Sequence, residues 1–87
     1  MKVVVIGTHL CADTTYALCK LKEKKAEVVF KNISASIADL KEYLAVRESS
    51  PLYDEVKKEG ILGVPYFELE DGTKTLDLDV VLEKLNA

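Results

Sequence analysis

The chain has 87 residues, of which 48% are hydrophobic and 31% charged, and a formal net charge of -3. That length holds one domain around one core, since separate cores need on the order of 100 residues each, and the composition is that of a folded globule rather than a disordered tail. Lys20, Lys22, Lys24 and Lys25 form the only basic cluster and sit where a helix is expected to end, so the acidic balance argues against a nucleic-acid partner.

Val3-Val4-Val5-Ile6 is a β-branched run that suits a strand buried on both faces. It falls far short of the roughly 20 apolar residues needed to span a bilayer, and it is too short for a signal peptide. The expectation is therefore a cytoplasmic monomer without a membrane partner, with Cys11 and Cys19 reduced. Gly7 to Leu10 breaks the strand, and residues from about Ala12 to Lys24 read as a helix with Ala17, Leu18 and Leu21 on one stripe.

Glu27 to Asn32, built on Val28-Val29-Phe30, is the next strand, parallel to the first through a right-handed helical crossover. Ser36-Ile37-Ala38-Asp39 has capping-box spacing and opens a helix with Ile37, Leu40, Tyr43, Leu44 and Arg47 at helical intervals, ending near Glu48. Ser50-Pro51 starts a short helix that Gly60 closes.

Tyr66 to Glu70 alternates apolar and polar residues, Asp71-Gly72 signals a two-residue hairpin, and Thr73 to Leu76 makes the return strand. A helix from about Asp79 to Leu85 ends the chain, capped by Asp77 or Asp79. The order β-α-β-α-α-β-β-α over residues 1–87 predicts a single α/β domain: a four-stranded mixed sheet with helices on both faces.

Cys11-Ala12-Asp13-Thr14, placed after a buried strand and opening a helix, is followed far downstream by Gly63-Val64-Pro65 before a hairpin. With Ala17 six residues after the cysteine, this pattern resembles the glutaredoxin branch of the thioredoxin superfamily over nearly the whole chain. The resemblance implies a thioredoxin fold, a cis Pro65 facing Cys11, and thiol-disulfide exchange with glutathione or another low-molecular-weight thiol as co-substrate and no tightly bound cofactor. Thr14 stands where many relatives carry a second cysteine, which makes this a monothiol pattern; Thr8 stands in place of a common lysine. The stretch Thr75-Leu76-Asp77-Leu78-Asp79 replaces the Gly-Gly-acidic segment that holds one end of glutathione, and Asp77 is the position carried over to substrate binding.

The residues support a thiol chemistry in their own right. A sulfur just before a helix meets unpaired N-H groups and the positive end of the dipole, which favours the reactive thiolate; the alternative for Cys11 is a buried structural cysteine. Thr14 is placed either to donate its hydroxyl to that sulfur or to cap the helix. Asp13 works against a second negative charge or merely complements the dipole, and His9 is a cation, a proton shuttle or an ordinary loop histidine.

Cys19 lies eight residues along the helix, about 12 Å by helical rise and beyond the roughly 7 Å Cα limit for a bridge, so it reads as a small packed side chain. Val64 and Pro65 offer a backbone edge to a thiol peptide, against the alternative of a turn proline that starts a strand. Three functions follow in order of preference: an oxidoreductase working through mixed disulfides at Cys11 with small-thiol or protein clients; an iron-sulfur carrier using Cys11 and glutathione; and a non-catalytic interaction module.

Overall fold

A computed structural model of the chain describes residues 1–86. The elements are β1 (Lys2–Gly7), α1 (Ala12–Glu23), β2 (Glu27–Asn32), α2 (Ile37–Ser49), a 3-10 turn over Pro51–Tyr53, α3 (Asp54–Glu59), β3 (Tyr66–Leu69), β4 (Lys74–Thr75) and α4 (Leu78–Asn86). The strands form one mixed sheet in the order β2-β1-β3-β4. β1 runs parallel to β2, Val3 opposite Val28 and Ile6 opposite Lys31, and antiparallel to β3, Val5 opposite Phe67 and Ile6 opposite Tyr66.

Alternation along β1 divides the core in two. Val3 and Val5 face α1 and α4, where they pack with Ala17, Leu21, Phe67 and Val81. Ile6, with Val4 packed beside it, turns to the other side, against Tyr43 of α2, Tyr53 of the 3-10 turn and Tyr66. Helices therefore cover both faces, and β1, hydrogen-bonded along both edges, is the centre of the domain. A Lys31-Glu42 ion pair at 2.7 Å ties β2 to α2 at the rim. Among the described residues no helix is long and apolar enough to cross a membrane.

The caps follow the sequence. Ser36 Oγ accepts from the Asp39 N-H and Ser50 Oγ from the Leu52 N-H, and Asp77 Oδ1 accepts from the Asp79 N-H at 2.9 Å, which makes Asp77 the cap of α4. Three details differ from expectation. In α2 the stripe that packs is Leu40, Tyr43 and Val46, whereas Ile37 is 69% and Leu44 46% exposed. Helical spacing admits both stripes, and contact with Ile6 and Tyr66 selects one.

Cys19 is exposed rather than packed. Five residues on from the buried Thr14, it is rotated about 140° around the helix, facing away from the sheet. The β3-β4 connection is also longer than two residues. Gly72 N-H donates to the Leu69 carbonyl and Leu69 N-H to the Thr73 carbonyl, so the loop is Glu70-Asp71-Gly72 with only Gly72, at φ 90°, in the left-handed region. A two-residue turn of the mirror-image type would need positive φ at Asp71 as well; the chain takes instead a three-residue loop ending in a left-handed glycine.

Asp71 secures that loop. Its carboxylate accepts from the Thr73 N-H at 2.9 Å and from Lys84 of α4 at 3.2 Å. Bonds from Thr73 first, and then from Lys84, hold its pKa down from 3.8 to about 2. A carboxyl depressed in the folded state contributes stability that is present above the unfolded value and is lost as pH falls through the folded one. The expected result is that thermal stability of the wild type falls more steeply between about pH 4 and pH 2 than that of Asp71→Asn; equal slopes in thermal melts would contradict this.

Candidate functional site

The C-terminal end of β1, the N-terminal end of β3 and the start of α4 lie at one end of the sheet, because Ile6 is opposite Tyr66 and Phe67 is opposite Thr75. Three sequence-predicted positions, Cys11, Pro65 and Asp77, are thereby brought to the same end, each within four residues of a strand terminus. An open hollow lined by Lys2, Val4, Glu68, Leu69 and Glu70 lies at the opposite end of β1.

The loop after β1 is a tight turn. Cys11 N-H donates to the Thr8 carbonyl at 3.1 Å, and the Leu10 N-H to Thr8 Oγ1 at 3.1 Å, while Thr8 Oγ1 shares a 2.5 Å bond with Ser34 Oγ. Thr8 is buried by these contacts, and His9 and Leu10 occupy the exposed corner. Cys11 itself is half-buried at the N-cap of α1, in extended backbone geometry, and makes no side-chain cap bond. Helical bonding begins with Thr15 N-H to the Cys11 carbonyl at 3.1 Å. The Ala12, Asp13 and Thr14 N-H groups beside the sulfur have no intrahelical acceptor.

Thr14 does not play the part expected of it. It is 0% exposed, and its hydroxyl has no hydrogen-bond partner among the described residues. The residue packs on Gly7: a Cβ at Gly7 would lie 2.6 Å from Thr14 Oγ1 and 2.7 Å from its Cγ2. The side chain therefore turns back to the strand rather than up to Cys11, and neither donates to the sulfur nor caps the helix.

His9 is bonded to β2 through Asn32. Ser34 N-H donates to Asn32 Oδ1 at 3.0 Å, which orients the amide so that its Nδ2 donates to His9 Nδ1 at 2.9 Å. The neutral ring thus carries its proton on Nε2. Asp13 is exposed in the first turn of α1, the position that complements the dipole. Asp77 has a carboxylate oxygen engaged in capping α4. Cys11 and Cys19 are both free thiols. No group of three or more His, Cys, Asp or Glu side chains among the described residues is arranged to hold a metal ion.

The Gly60–Pro65 segment is built more firmly than its sequence suggests. Tyr43 Oη and Arg47 Nη1 both donate to the Leu62 carbonyl, and Tyr53 Oη to the Gly63 carbonyl. The Val64-Pro65 peptide is cis, and Pro65 is buried. Tyr43, Arg47 and Tyr53 carry no motif that would mark this convergence in the sequence. The available signal is the i, i+4 spacing of Tyr43 and Arg47, combined with the need of a buried tyrosine hydroxyl for a partner.

Compared with known proteins, the chain is 30% identical over 77 residues to an uncharacterized protein of Haemophilus influenzae, an alignment covering 88% of this chain and 90% of that one. The two belong to one family. No protein-family model and no solved structure matches the chain. Membership in the family of the Haemophilus influenzae protein carries common descent without an activity, so the chemistry rests on the residues at this end of the sheet.

The family member's own packing makes a testable case at Thr14. A buried hydroxyl without a partner costs about 1 to 3 kcal/mol, so Thr14→Val is expected to raise unfolding free energy by about 1 kcal/mol in urea titration and to leave the alkylation rate of Cys11 unchanged. Slower alkylation would mean that the hydroxyl serves the sulfur. Gly7→Ala is expected to lose about 1 to 3 kcal/mol by overpacking, with part of the loss recovered when Thr14→Ala opens the space.

Proposed function

We propose that this chain is a glutaredoxin-like thiol-disulfide oxidoreductase of the thioredoxin fold, acting as a monothiol through Cys11. The observation that carries the proposal is the half-buried Cys11 at the N-cap of α1, beside three N-H groups without intrahelical acceptors. Donors and dipole of this kind stabilise a sulfur anion, the form that attacks. The strand order β2-β1-β3-β4, with α1 and α4 packed on one face and α2 and α3 on the other, supports the fold assignment.

In the proposed reaction the Cys11 thiolate attacks one sulfur of a disulfide. The Cys11-to-substrate bond forms as the substrate's own S-S bond breaks, and the second substrate sulfur leaves as thiolate. An external thiolate then attacks the substrate-side sulfur of the mixed disulfide, releasing Cys11 as thiolate and forming a new disulfide. The resolving thiol must come from outside, because Cys19 faces solvent on the far side of α1. Glutathione, another small thiol or a protein thiol fits this scheme, with the backbone at Val64 available to pair with a thiol peptide as an added strand.

The deciding experiment pairs Cys11→Ser with Cys19→Ser. In the wild type, glutathione disulfide should leave one mixed disulfide, mapped to Cys11 by mass spectrometry, and iodoacetamide at neutral pH should modify Cys11 about tenfold faster than Cys19. Turnover of a disulfide substrate should vanish in Cys11→Ser and persist in Cys19→Ser. A Cys11→Ser protein with wild-type turnover would end the proposal.

A further inference from the structure

Two carbonyls in the segment between α3 and β3 are engaged by side chains of the neighbouring helix and turn. Tyr43 Oη donates to the Leu62 carbonyl at 2.5 Å, Arg47 Nη1 to the same oxygen at 3.0 Å, and Tyr53 Oη to the Gly63 carbonyl at 2.7 Å. The rings of Tyr43 and Tyr53 meet edge to face at 6.3 Å, and the Arg47 guanidinium lies 5.9 Å from the Tyr53 centroid. Both tyrosines are buried. Their hydroxyls are therefore delivered by packed rings rather than by flexible chains, and burial raises the Tyr53 phenol, which keeps it a donor through the neutral range.

Planarity converts those bonds into a statement about the opposite edge of the chain. In a trans peptide the N-H points opposite to the C=O of the same unit. The Leu62-Gly63 and Gly63-Val64 units are trans, so engaging the two carbonyls turns the N-H groups of Gly63 and Val64 away from the three side chains. Glycine is required for this approach: Gly63 has φ 72°, and a Cβ there would lie 2.7 Å from Tyr53 Cε2. Gly63 and Val64 are both partly accessible, and only Pro65 separates them from the strand end that lies beside the Cys11 loop.

We infer that Tyr43, Arg47 and Tyr53 are positioning residues that hold the Gly63 and Val64 N-H groups ready for the carbonyl or carboxylate oxygens of a thiol-bearing peptide. The inference rests on the proposed reactivity of Cys11. It narrows the substrate class, because two fixed donors favour a peptide thiol over an alkyl thiol that offers them no acceptor. The pair also differs from a single strand edge, since Gly63 adds a second donor one residue before Val64.

The test titrates the full chain with S-methylglutathione, a peptide probe that cannot exchange disulfides, and follows the amide resonances by NMR. In the wild type the Gly63 and Val64 amides should shift. Tyr53→Phe and Arg47→Met should each weaken binding about fivefold, as expected for the loss of one hydrogen bond, while iodoacetamide modifies Cys11 at the wild-type rate. Unmoved Gly63 and Val64 amides, unchanged affinities in both variants, or an alkylation rate falling in step with affinity would each overturn the inference. A Cys11 inert to glutathione disulfide, with amides that still respond, would overturn the redox proposal alone and leave a peptide-carboxylate site standing.

Discussion

The close approach of Thr14 to Gly7 is the contact on which the Cys11 end of the molecule depends. Val3 to Ile6 are apolar on both faces of β1, so hydrophobic pattern alone would tolerate a shift of the strand by one residue. A shift would put a side chain where only a hydrogen fits, 2.6 Å from Thr14 Oγ1. The tight fit fixes α1 against the strand end, and the turn from Thr8 to Cys11 then brings Cys11 to the helix entrance. Burying the Thr14 hydroxyl without a partner is the cost of that fit.

Peptide polarity is used twice at this end of the sheet. At the start of α1, helical geometry leaves three N-H groups beside Cys11 without intrahelical acceptors. At Leu62 and Gly63, phenol and guanidinium donors take the carbonyls and turn the following N-H groups the other way. In both places the backbone presents donors without an ionisable side chain, which suits a site in a chain whose single histidine is tied to Asn32. Recognition through such donors depends on the polarity of a ligand rather than on its side chains.

Most of the element order was legible in the residues. β2 runs from Glu27 to Asn32 as expected, and α1, α2 and the capped turn at Ser50-Pro51 lie within a residue or two of their predicted ends. These were readable because caps, breakers and apolar periodicity act locally. The roles of Thr14, His9 and Cys19 were not, since each was assigned by distance along the chain from Cys11. Thr14 turns toward a strand glycine, His9 toward an asparagine on β2, and Cys19 away from the sheet.

The sequence by itself determined the α/β alternation, the single core, the position of Cys11 at a helix entrance and the glycine at position 63, because each is written in neighbouring residues or in a short repeat. Only the tertiary structure decided which stripe of α2 packs, where the Thr14 hydroxyl goes, and that Tyr43, Arg47 and Tyr53 converge on two successive carbonyls. Thr14 and Gly7 are 7 positions apart and Tyr43 and Leu62 are 19, on different elements, and side chains find such partners only once helix and strand have packed, a constraint with no periodic trace in the chain.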